Sequence, residues 1–141
     1  MGTQQPISLA ERKAECKPLV LVVDDDAIHH KLLNLLAERL EITVHMASSC
    51  AQAVEALHMF SFDLILLDYR MPEVDGYLCV QRIRQMKELK HDIPIIAVSA
   101  HIRPDSIDKC IEAGMDDLLC KPFTLEELHA KLCYWLQKKS E

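Results

Sequence analysis

"DLILLDYRMPEVDG", Asp63 to Gly76, decides how the rest of the chain is read. A run of branched apolar residues, Leu64 to Leu67, drives straight into a carboxylate, Asp68. Turn chemistry follows at Met71-Pro72 and Asp75-Gly76. A short run that is apolar at every position marks a strand covered on both faces, as in a parallel sheet. Such a strand delivers Asp68 to its own end.

The flanks repeat the pattern. "LVLVV" (19–23) is another all-apolar run, and "AIHHKLLNLLAERL" (27–40) places Ile28, Leu32, Leu35, Leu36 and Leu40 on one side of a helix. "ITVHMA" (42–47) reads as a second strand, and Ser49 with Gln52 forms a capping box for a helix through about Met59. After the central strand, Gly76 opens a helix to about Leu89, with Leu78, Val80, Ile83 and Met86 among its apolar positions. "PIIAVSA" from Pro94 is a fourth strand, rich in β-branched residues. Pro104 suits a first helical turn, and Gly114 suits the position just past that helix. "DLLC" (117–120) is a fifth strand, and Thr124 with Glu127 caps a last helix to about Lys138. Strand–helix alternation of this kind predicts an α/β fold, a parallel sheet with helices on both faces. Its working crevice lies at the carboxyl ends of the strands.

Composition narrows the function. The chain has 141 residues, half of them hydrophobic, and a net charge of −6 with both signs interspersed. That is one ordinary domain, without the basic surface of a nucleic-acid or anionic-membrane binder. No apolar run approaches the ~20 residues of a bilayer span. Residues 1–16 lack the apolar core of a secretory signal and read as a polar lead-in or linker, which leaves the domain at 17–141. The six cysteines contain no C-x-x-C pair, so free thiols in a reducing cytoplasm are expected. His129 and Cys133, one helical turn apart, read as an ordinary helix face.

The strand ends carry the chemistry. Strand one ends in Asp24-Asp25-Asp26, strand three in Asp68, strand four in Ser99 and strand five in Lys121. Carboxylates about 5 Å apart repel by roughly 3 kcal/mol per pair at an effective dielectric near 20. A hard divalent cation relieves that repulsion, and oxygen donors suit Mg²⁺. Each residue also has a plainer reading: Asp26 as the N-cap of the helix at Ala27, Ser99 as a loop hydroxyl, Lys121 as a solvated lysine before Pro122.

Together "LVVDDD", "LILLDYRMPEVDG", "IIAVSA" and "CKPF" resemble the receiver domain of two-component response regulators, in order and spacing, from about Lys17 to Lys138. The style is that of receivers fused to hybrid histidine kinases or standing alone. The resemblance implies a flavodoxin-like doubly wound sheet of order 2-1-3-4-5 with five helices on its two faces. It implies that Asp68 takes a phosphoryl group from a partner phosphohistidine, and that Mg²⁺ is held by Asp25 directly, Asp24 through water, Asp68 and the Arg70 backbone carbonyl. Ser99 and Lys121 then contact the phosphoryl oxygens, and the Lys121–Pro122 bond is expected cis. The implied partners are a histidine kinase or a histidine phosphotransfer protein, met on the helix-one face around His29, His30 and Asn34. Many relatives carry an aromatic switch residue three positions before the lysine. Here that position is Leu118, so the ring-flip readout is not expected. Arg70 and His101 occupy positions that tune phosphoryl lifetime in the family, and the remaining histidines read as surface or loop residues.

Rival readings are weaker. A haloacid-dehalogenase-like phosphatase would want a second acid at position 70 and a cap domain. Three glycines in all leave neither G-x-x-x-x-G-K nor G-x-G-x-x-G for a nucleotide site. A phosphotransfer bundle is contradicted by the strands. A phosphate-independent interaction module with a receiver fold is the remaining alternative. No turnover of an external substrate is expected.

Overall fold

Each apolar run forms a strand in the computed structural model, which describes residues 17–68, 76–86, 93–100 and 104–140. The strands are β1 (Leu19–Val23), β2 (Thr43–Ala47), β3 (Leu64–Asp68), β4 (Ile95–Ser99) and β5 (Asp117–Cys120). They alternate with helices α1 (Ala27–Leu40), α2 (Cys50–Met59), α3 (Gly76–Arg84), α4 (Pro104–Ala113) and α5 (Leu125–Ser140). All strand pairs are parallel and the order is β2-β1-β3-β4-β5. The order in which the chain visits the strands reverses between β1 and β3, so a crevice opens there at the carboxyl edge. Among the described residues no helix is long and apolar enough to cross a membrane.

Two cores follow from strand parity, because successive side chains point to opposite faces. Leu21, Val23, Ile65, Leu67, Ile95 and Ala97 pack under α2, α3 and α4. Val20, Val22, Leu64, Leu66, Ile96 and Val98 pack under α1 and α5, with Leu128 and Leu132 filling the layer. Leu118 packs against the first of these cores.

Several helix ends form where the local signals place them, whereas α3, expected to run to about Leu89, ends at Arg84. Asp26 caps α1 by accepting the Ile28 N–H at 2.8 Å. Thr124 and Glu127 make a reciprocal capping box, with bonds of 3.0 and 3.1 Å. Gly114 adopts φ +113°, a backbone that favours glycine. Its carbonyl accepts two hydrogen bonds from the Arg84 guanidinium, at 2.8 and 3.0 Å, which tie α3 to the turn after α4. The Lys121–Pro122 bond is cis, as the resemblance implied.

Three further sequence expectations are corrected. The apolar side assigned to α1 is split: Leu40 is buried and Leu36 packs on the core, but Ile28, Leu32 and Leu35 are exposed. The face on the sheet is Leu33, Leu36, Ala37 and Leu40, one residue out of phase with the expected stripe. In α3, Leu78 is exposed while Cys79, Val80 and Ile83 are buried. The free-thiol expectation fails for Cys50 and Cys79, which are joined in a disulfide. Their helices lie side by side on one face and bring the Cα atoms to 5.7 Å, within bridging reach. Cys110, Cys120 and Cys133 are free.

Candidate active site

Sheet register assembles the site. Val23 pairs with Leu67, so the next residues of β1 and β3, Asp24 and Asp68, stand side by side. Ser99 pairs with Cys120, which sets Lys121 one step beyond, and the Lys121 N–H donates to the Ser99 carbonyl at 2.9 Å. Asp24 and Asp68 continue the parity of Val22 and Leu66, and Lys121 that of Leu119. All three therefore turn toward the face on which α1 packs.

The Lys121 ammonium sits 3.6 Å from Asp68 Oδ2 and 3.9 Å from Asp24 Oδ2. Asp24 is buried, as is Ser99, while the Asp68 side chain is 11% exposed and open to one side. Asp24 is heavily bonded: Oδ1 accepts the Asp26 N–H at 2.9 Å, and Oδ2 meets His29 Nδ1 at 2.8 Å. Its carbonyl pairs with His30 Nε2. Asp26, the cap, is held below the usual carboxylate range by the Ile28 N–H. A cavity of ≈380 Å³ reaches this polar end from an apolar interior lined by Leu33, Leu66, Val98, Phe123 and Leu128.

Of the expected site residues, the structure brings together Asp24, Asp68 and Lys121, with Ser99 at the end of β4. Asp25 is exposed at the same edge. Arg70 and His101 lie outside the described residues. Sequence reasoning missed His29 and His30, read as surface histidines; both ring systems turn back onto Asp24. A signal was present: residues five and six past a strand-end Asp, in the first turns of the following helix, stand over the same crevice. One donor atom each from Asp24, His29 and Asp68 lie within 4.8 Å of one another.

A doubly wound five-stranded sheet with an acidic pocket facing one lysine at its carboxyl edge is the receiver architecture. The response regulator receiver domain profile matches residues 20–133. The hybrid signal transduction protein dokA of Dictyostelium discoideum is 36% identical over 89% of this chain and 7% of its own length. The histidine-protein kinase BarA of Escherichia coli K12 is 39% identical over 78% of this chain and 12% of its own. This chain thus spans a small part of these curated relatives. Among solved structures, the receiver domain of a Pseudomonas aeruginosa sensor histidine kinase superposes with a TM-score of 0.77 at 30% identity. The match covers 86% of this chain and 98% of that one, which holds a magnesium ion in its active site cleft. A two-component response regulator from Clostridium difficile gives 0.81 at 26% identity, covering 89% and 100%. The chain belongs to the response regulator receiver domain family of two-component signal transduction.

Proposed function

We propose that this receiver takes a phosphoryl group from a partner phosphohistidine onto Asp68, and then shifts conformation or relays the group. The observation that carries the reading is the ammonium of Lys121 poised 3.6 Å from Asp68 Oδ2 at the rim of a buried acidic pocket. A carboxylate oxygen of Asp68 attacks phosphorus as the phosphorus–nitrogen bond to imidazole breaks, leaving an acyl phosphate. As the last residue of β3, a strand paired on both sides, Asp68 is held in place as the nucleophile, and the step is accelerated by positioning and charge. Lys121 neutralises charge on the transferring oxygens, and Ser99 donates its hydroxyl to one of them.

The oxygen donors of Asp24, Asp25 and Asp68, with the Arg70 carbonyl, suit Mg²⁺. Two of these carboxylates already converge within reach of a single cation. When bound, that ion supplies electrostatic stabilisation of the phosphoryl oxygens. Arg70 and His101 are proposed to tune the lifetime of the acyl phosphate. With Leu118 at the switch position, readout proceeds through the β4–α4 loop and the α4–β5–α5 face, biased by contacts made only in the phosphorylated state.

The partner is a histidine kinase or histidine phosphotransfer protein. Ile28, Leu32 and Leu35 of α1, exposed at 75%, 48% and 74%, supply an apolar docking stripe beside the pocket. The test is intact-mass spectrometry after incubation with Mg²⁺ and a small phosphoramidate. One phosphoryl mass is expected in the parent and none in Asp68→Ala. Equal gain in both, or gain in neither, refutes the assignment and leaves the phosphate-independent module.

A further inference from the structure

His29 changes what the acidic pocket can hold. Its Nδ1 lies 2.8 Å from Asp24 Oδ2 and 3.3 Å from the Lys121 ammonium. A single ring nitrogen either donates a proton to Asp24 or accepts one from Lys121, so both hydrogen bonds cannot be made at once. The ammonium is thus ringed by three atoms: His29 Nδ1, Asp24 Oδ2 at 3.9 Å and Asp68 Oδ2 at 3.6 Å. Those atoms already converge on a positive charge.

We propose that Asp24, His29 and Asp68 form a mixed nitrogen–oxygen site for a first-row divalent transition ion, with His29 Nδ1 as a direct ligand. The proposal rests on the receiver reading for the place of the site but not for its donor set. Spacing supports it. Adjacent ligands bound at about 2.1 Å in octahedral geometry stand about 3 Å apart, and opposite ones about 4.2 Å. The 2.8 Å between Nδ1 and Oδ2 matches an adjacent pair, and the 4.8 Å limit on the three donors needs closure of only about 0.6 Å. Access is also provided, since the His29 side chain is 35% exposed beside the cavity mouth.

Donor chemistry decides which ion gains. Carboxylates alone favour Mg²⁺ and Mn²⁺ on comparable terms, whereas an imidazole raises affinity for Mn²⁺, Co²⁺ and Zn²⁺ relative to Mg²⁺. On binding, the Lys121 ammonium is displaced from its place between the carboxylates.

The probes are Mn²⁺ and Co²⁺ on the unphosphorylated full chain. Pulsed electron paramagnetic resonance of the Mn²⁺ form is expected to show nitrogen hyperfine coupling from one imidazole. The coupling is expected to vanish in His29→Asn and persist in His30→Asn. Calorimetric Co²⁺ affinity is expected to fall about 10-fold or more in His29→Asn, with a much smaller change for Mg²⁺. Absence of nitrogen coupling in the parent overturns the proposal without recourse to any variant. So does coupling retained in His29→Asn, or an unchanged Co²⁺-to-Mg²⁺ ratio. Phosphorylation with Mg²⁺ is scored separately: a chain that gains phosphate but shows no nitrogen coupling keeps the receiver function and loses this site. The reverse result keeps the site and loses the function.

Discussion

Replacing Lys121 by Met removes a positive charge that faces both carboxylates of the pocket while keeping most of the stem. At an effective dielectric near 20, the ammonium attracts Asp68 by about 4.6 kcal/mol at 3.6 Å and Asp24 by about 4.3 kcal/mol at 3.9 Å. The two carboxylates, with donor atoms within 4.8 Å, repel each other by about 3.5 kcal/mol on the same scale. Desolvating the ammonium of a side chain that is only 21% exposed takes back several kcal/mol of the attraction. The expected net cost of Lys121→Met without divalent cation is about 3 kcal/mol, in the range seen when one partner of a buried ion pair is removed. In urea, this appears as a lower midpoint with an unchanged slope. Saturating Mg²⁺ restores the missing charge, so the variant is expected to gain more stability from the ion than the parent does. Equal stability of parent and variant without metal would refute the electrostatic account. An Mg²⁺ gain no larger in the variant would refute it too.

Three further outcomes are expected. Burial pushes the Asp117 carboxyl up, but hydrogen bonds from Lys131, Trp135 and the Leu118 N–H outweigh it and hold the group below its ordinary value. The stability it contributes is therefore present above the unfolded value of about 3.9 and is lost as pH falls through the lower folded value. Asp117→Asn should flatten that acid limb, and parent and variant should converge at the acid end; parallel curves would exclude the role. Gly114→Ala meets both a φ of +113° and an Arg84 Cγ 2.9 Å from the new Cβ. It should cost about 1–2 kcal/mol in thermal unfolding, and a neutral result would show that the turn relaxes freely. Leu35→Asp, on a residue 74% exposed, should leave stability within about 0.5 kcal/mol while slowing transfer from a protein phosphohistidine. Transfer from a small phosphoramidate should be unaffected; slowing of both would remove α1 as the docking face.

Much of this molecule is local enough to be read from one dimension. The all-apolar runs became strands because only a doubly covered sheet buries residues such as Leu64 to Leu67 at every position. Asp26, the Thr124–Glu127 pair and Gly114 mark helix ends because a cap satisfies backbone groups within a few residues of itself. Strand order and the cis bond came through family resemblance, since alternation alone admits several orders.

What needed the tertiary structure is equally specific. Helix α1 carries more apolar residues than one face can bury. Its own periodicity does not say that Leu33 and Ala37 meet the sheet while Leu32 and Leu35 meet solvent. Cys50 and Cys79 pair only because α2 and α3 lie on the same face. His29 joins Asp24 only because the parity of β1, β3 and β5 turns the acidic pocket toward α1. Sequence alone determined the elements and the charges at their ends, because caps, turns and periodicity act over a few residues. The packed chain alone decided which faces and side chains meet, because even a contact as short in sequence as His29 with Asp24 depends on how the helix packs against the sheet.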